Sequence, residues 1–176
     1  MGPWGLIGLA VAALVAMAGY GRLVALRRQV QHAWSQLEGQ LQRRSDLIPR
    51  LIEAVKDSGP PESALLESVT RARQGALHAR GIPARAEAEN QLTQVLHRLF
   101  TAAEADSGGE ADPDARALQE ELGDVENQIL AAGQRYNHRV MALNIRTGRF
   151  PWSLISRPTG FRPVEYFVLD ERPARQ

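Results

Sequence analysis

Leu118, Leu122, Val125, Ile129, Ala132, Tyr136, Val140, Leu143 and Thr147 follow one another at intervals of three or four residues. An α-helix turns about 100° per residue, so this spacing holds all of them on one stripe; a stripe sustained for so many turns describes a helix lying in the seam of a bundle. A strand is excluded, because its apolar period is two. The helix is expected over 113–148. Asp112 is placed as its N-cap, with Pro113 in the first turn, where a missing N–H does no harm.

A second long stripe precedes it. Leu23, Leu26, Val30, Trp34, Leu37, Leu41, Ile48, Ile52 and Val55 fall within about 80° of arc on a helical wheel. Pro49 interrupts the pattern without shifting its phase. A fresh helix would have little reason to keep that phase, so a kinked helix over 22–57 is favoured; the proline costs ~3 kcal/mol through ring crowding and the bond lost at the Ser45 carbonyl. The alternative makes Asp46 the N-cap of a new helix, with Pro49 in its first turn.

Two shorter helices are expected over 62–80 and 84–105. Leu65, Leu66, Val69, Ala72, Ala76 and Leu77 point inward from the first, and Leu92, Val95, Leu96, Leu99 and Phe100 from the second. Gly59 and Pro60 stop the helix before them, "GIP" at 81–83 joins them, and the acidic run "EADSGGEADPD" follows as a loop. Short connections favour neighbours running in opposite directions. The expected fold is all-α: an N-terminal transmembrane helix (1–21) continuing into an antiparallel up-and-down four-helix bundle (22–149), then an irregular tail rich in Pro, Gly and aromatics (150–176).

The membrane expectation rests on the first 21 residues, which carry no charged side chain. At ~1.5 Å per residue they span about 31 Å as a helix, close to the ~30 Å of a hydrocarbon core. Arg22, Arg27 and Arg28 follow at once, which by the positive-inside tendency puts the N-terminus outside and the bundle in the cytoplasm. The alternative topology has the bundle on the outer side. A cleaved signal peptide is the other reading, with "AMA" at 16–18 as its cleavage site, although a basic n-region is missing. Arg22, Arg27, Arg28, Phe150 and Trp152 are the candidate membrane-interface residues, since Arg and aromatic rings suit the headgroup layer. Packing of the tail aromatics on the bundle is the competing reading.

Little else in the chain carries chemistry. The 21 basic and 20 acidic residues nearly cancel, so nucleic acid is not an expected partner. The absence of Cys excludes disulfides, thiol nucleophiles and Cys-ligated metals. His32, His78, His97 and His138 fall on four separate expected helices without metal-ligand spacing, and no P-loop, nucleophile elbow or dinucleotide fingerprint occurs. No cofactor, metal or small-molecule substrate is inferred. Gln119, Glu126, Gly133, Asn137 and Asn144 do form a polar row beside the apolar seam of the last helix, and Arg43, Arg44, Ser45 and Asp46 precede Pro49. Buried polar groups need partners, so Arg44, Asp46, Glu126, Asn137 and Asn144 are the candidate members of a hydrogen-bonded layer, for example through an Arg44–Glu126 pair. A layer of this kind specifies packing; a ligand or catalytic site is the alternative.

The blocks "YGRLVALRRQVQHAWSQLEGQLQRRSDLIPRLIEAVK", "ESALLESVTRARQGA", "LQEELGDVENQILAAGQRYNHRVMALN", "RFPWSLI" and "GFRPVEYF", in that order, resemble the LemA family of bacterial membrane-anchored proteins. The resemblance implies a transmembrane N-terminus with a short outer end, a helical bundle, and no established enzymatic activity. It also marks departures: Tyr20-Gly21 where the family has Tyr-Asn, Gly133 where it has Arg, and "ADPD" in place of a Tyr-Pro segment. Gly39 and Gly133, each costing ~1 kcal/mol relative to Ala within a helix, suggest close contact or mild weakening. The expected role is non-catalytic: a membrane-anchored scaffold with an unidentified protein partner. A sensor or signalling adaptor, or an enzyme with its site on the polar row, are the alternatives.

Overall fold

A computed structural model describes residues 3–57, 63–106, 113–149, 160 and 162–170. These residues form four α-helices, and no strand occurs among them: α1 (Pro3–Asp57), α2 (Ser63–His78), α3 (Ile82–Asp106) and α4 (Pro113–Gly148). Helix α1 runs through Pro49 without a break. Asp46 therefore caps nothing; it lies in mid-helix, exposed, and its Oδ1 accepts a bond of 2.8 Å from Gln42 Nε2. α3 starts earlier than the spacing suggests, with Pro83 in its first turn, because Gly81 takes a left-handed φ of 86° and its carbonyl already accepts from Arg85 N at 3.0 Å.

The chain divides into two compact units. The first joins residues 1–35 to 135–165. In it Leu23, Val30 and Ala33 of α1 are buried with Tyr136, Val140, Leu143 and Thr147 of α4. Trp34 stands edge-on to Tyr136, ring centroids 5.4 Å apart, a favoured aromatic geometry. Arg139 donates to Gln29 at 3.2 Å. The pairings Gln29 with Arg139 and Trp34 with Tyr136 rise on α1 and fall on α4, so the two helices are antiparallel here.

The second unit joins residues 36–134 to 166–176, and segments of all four helices contribute to it. Leu37, Leu41, Ile48, Leu51 and Val55 of α1 are buried, as are Leu66 and Val69 of α2, Leu92, Leu96 and Leu99 of α3, and Leu118, Leu122, Val125 and Ile129 of α4. Each such side chain contributes about 1.5–3 kcal/mol on leaving water. α2 and α3 pack against each other, with the small Ala76 and Ala86 buried on them.

The start of α1 is different. Trp4, Ile7, Val11, Leu14, Val15, Met17 and Tyr20 are exposed, Trp4 to 84%. Among the described residues no helix is long and apolar enough to cross a membrane. The transmembrane helix expected over 1–21 is thus not supported by them; the side chains of Leu6, Leu9 and Ala12, which share in the apolar character of the stretch, lie outside the described set.

Candidate functional site: a buried charge cluster and an anchored tail

The seam of α1 reads Leu37, Leu41, Arg44, Ile48, Leu51, Val55, so an arginine occupies a core position. Its side chain is 3% exposed. Burying a guanidinium without partners costs several kcal/mol, so it must find acceptors. Nη2 donates to the Glu89 carboxylate and, at 3.2 Å, to the Glu89 carbonyl; Nη1 donates to Thr93 Oγ1 at 2.6 Å. Glu89, 2% exposed, also accepts from Arg85 Nε at 2.9 Å, one turn earlier on α3. Glu126 of α4 comes within 3.8 Å of Arg44 but is 29% exposed. Arg44 therefore has two carboxylate partners, the buried Glu89 in direct hydrogen bond and Glu126 at 3.8 Å. Glu89 lies in phase with Ala86, Leu92, Leu96 and Leu99, so a carboxylate at a core position of α3 was the signal that would have found it.

Pro49 stands four residues after Ser45, at the position whose N–H would bond the Ser45 carbonyl, and has none to give. Arg73 Nε of α2 supplies the missing donor, at 2.7 Å. The bond lost at the proline is thus replaced from a different helix, an interaction that no local pattern reveals. Arg44 Nε, Ser45 Oγ and Gln40 Oε1 are buried without a hydrogen-bond partner among the described residues.

Of the other expected layer members, Asp46 stays outside the cluster, and Asn137 and Asn144 belong to the first unit. Asn144 serves the tail: its Nδ2 donates to the Val164 carbonyl at 2.8 Å and its Oδ1 accepts from Val164 N at 2.9 Å. Tyr136 Oη donates to the Glu165 carbonyl at 2.9 Å. Burial, and then the nearby Glu165 carboxylate, push the Tyr136 phenol up to about 12. In the second unit, Asn90 Nδ2 donates to the Val168 carbonyl at 3.2 Å and its Oδ1 accepts from Asp170 N at 3.1 Å. Phe167 is buried, and the Cα of Gly133 faces Phe167 and Leu169. Of the candidate interface residues, Arg22, Arg27 and Arg28 are exposed, while Phe150 and Trp152 lie outside the described residues.

Several elements that carry the LemA resemblance are among those described above: the Arg43–Pro49 block and Glu126 in the second unit, and Tyr136-Asn137 in the first. The LemA family profile matches residues 33–176. The chain belongs to the LemA family. It is also similar to the magnetosome protein MamQ of Magnetospirillum gryphiswaldense, 22% identical over 200 residues covering 96% of this chain and 73% of that protein. The charge cluster and the anchored tail both fall within the LemA match. The cluster pairs Arg44 with Glu89 across two helices. An open groove of about 360 Å³ lies elsewhere, between α2 and α3, with Arg71, Gly75, Gln94 and Arg98 in its lining and no member of the polar row. Among the described residues no set of three His, Asp or Glu side chains could hold a metal ion.

Proposed function

We propose that this LemA-family protein is a membrane-attached, non-catalytic scaffold whose four-helix unit presents a surface to a protein partner. The observation that carries this reading is the unbroken α1, whose first five turns expose Trp4, Ile7, Val11, Leu14, Val15 and Met17 and whose last turns bury Leu41, Ile48 and Leu51 in a packed unit. Exposed apolar area on that scale is costly in water and is relieved by lipid or by a partner. The buried arginine and glutamate support a structural reading of the polar cluster, since each is consumed by the other. The proposed site is the bacterial cytoplasmic membrane, single-pass, with the helical body inside.

Alkaline carbonate extraction of native membranes tests attachment. The chain is expected to stay in the pellet, and release into the wash overturns the anchor. A C-terminal reporter active in one compartment only tests topology. Crosslinking in native membranes followed by mass spectrometry identifies the partner; recovery of lipid-facing residues alone counts against a scaffold.

The reading of a signalling adaptor has one observation in its favour. Pro49, the buried Gln40 Oε1, Arg44 Nε and Ser45 Oγ without hydrogen-bond partners, and the Arg73 bond all crowd one stretch of α1, where hydrogen bonding is least satisfied among the described residues. Identical protection of residues 40–49 from amide exchange with and without residues 1–21 would remove that reading.

A further inference from the structure

The near-neutral total charge conceals a partition. In sequence, the first unit (1–35 with 135–165) contains nine arginines and a single carboxylate, Glu165, whereas the second holds twelve basic and nineteen acidic residues. The first unit is therefore strongly cationic, and Arg22, Arg27, Arg28, Arg135, Arg139, Arg146, Arg149 and Arg162 are all exposed.

The geometry gathers four of these at one level. The Gln29–Arg139 bond sets the register of antiparallel α1 and α4. Seven residues from that bond along each helix, about 10 Å at ~1.5 Å per residue, Arg22 and Arg146 reach the same height. Arg149 follows within a turn of Arg146. Asn144 grips Val164 on both its N–H and its carbonyl, which keeps Arg162 within about 7 Å of that grip along an extended chain. This level lies immediately below Tyr20, Met17 and Leu14, where the exposed apolar part of α1 begins.

We propose that Arg22, Arg146, Arg149 and Arg162 form a collar that binds the phosphates of anionic phospholipid headgroups at the foot of the apolar helix. The proposal deepens the membrane-attached reading and rests on it. Guanidinium forks match phosphate oxygens, and each basic residue near an anionic leaflet raises partitioning roughly fivefold. Exposed Tyr20, Met17 and Leu14 beside the collar select a lipid surface over a nucleic acid, which offers phosphate without an apolar phase. The collar also gives α4 and the tail a hold on the bilayer, although α1 alone carries the apolar helix.

The test uses the full chain in nanodiscs of phosphatidylcholine, with or without phosphatidylglycerol, and reads amide exchange over residues 139–149 and 162–165. Anionic discs are expected to slow exchange there roughly tenfold or more at low salt, with no change over 113–134, and roughly 1 M salt should erase the difference. Replacing all four arginines by Gln (R22Q, R146Q, R149Q, R162Q) should abolish the slowing; replacing them by Lys should keep most of it. Equal exchange in both discs overturns the collar. So does slowing by inorganic phosphate in neutral discs, which assigns the arginines to a soluble anion, or stronger slowing by duplex DNA. A chain that leaves neutral discs but holds to anionic ones removes the spanning anchor while supporting the collar.

Discussion

Replacing Glu89 by Gln isolates the term that matters most in the buried cluster. The substitution keeps the shape of the side chain and removes its charge, leaving Arg44, 3% exposed, with Thr93 Oγ1, the carbonyl of residue 89 and a Glu126 carboxylate 3.8 Å away. Breaking one side of a buried ion pair costs about 3–5 kcal/mol, because the remaining charge stays out of water without compensation. Arg85 loses its partner as well, but it is closer to solvent and adds ~1 kcal/mol at most. For a chain of this size each kcal/mol moves the melting temperature by about 2–4 °C, so E89Q should melt roughly 6–20 °C lower. The control is E126Q, whose partner distance is long and whose side chain is 29% exposed; it should cost ~1 kcal/mol or less. Joint replacement of Arg44 by Met and Glu89 by Leu should recover most of the loss, since apolar side chains of similar volume often replace a buried pair without penalty. The assay is thermal melting by circular dichroism at one lipid or detergent composition. Equal melting of E89Q and E126Q would show that Arg44 does not depend on Glu89, and the account of the cluster would fail.

R73A should cost about 1–3 kcal/mol in urea denaturation by orphaning the Ser45 carbonyl, and less in a P49A background, where the residue 49 N–H reaches that oxygen; equal costs in both backgrounds refute the coupling. The raised pKa of Tyr136 means that the native state holds the phenol proton more tightly than the unfolded chain. Its stabilisation is complete below pH 10 and is lost as pH rises to about 12, amounting to about 2–3 kcal/mol, and urea titrations of Y136F should lack that alkaline loss. G39A should stabilise by up to ~1 kcal/mol because its Cβ would meet nothing within 4 Å; G133A should do likewise because its Cβ would touch Leu169 Cδ1 at 3.4 Å without displacing it. A lower melting temperature for either variant contradicts this reading.

The seam of α4 was legible residue by residue: all nine positions from Leu118 to Thr147 are buried, because a single helical period governs them and no proline interrupts it after the first turn. The passage of α1 through Pro49 was legible for the same reason of phase. Glu89 shares the phase of the α3 core, but a stripe is read from its apolar side chains, so a carboxylate in it is passed over until its arginine on another helix is in view. The Arg73 bond escaped because it joins residues 28 apart through a backbone oxygen. Gly39 and Gly133 looked alike in sequence, yet one faces open space and the other faces the tail. The charge partition was hidden by its sum, and only the pairing of 1–35 with 135–165 exposes it.

Asn144 and Asn90 both hold the tail through its main chain. Asn144 meets the N–H and carbonyl of one residue, Val164, and Asn90 meets the carbonyl of Val168 and the N–H of Asp170, so each carboxamide behaves as the peptide group of an absent neighbouring strand. Such a grip is blind to the side chains it carries. Tyr166 and Val168, which face solvent, are free to be rewritten without unseating the segment. Over 164–170 the main chain is held by two carboxamides of the helices, and Phe167 is the side chain with which the segment answers.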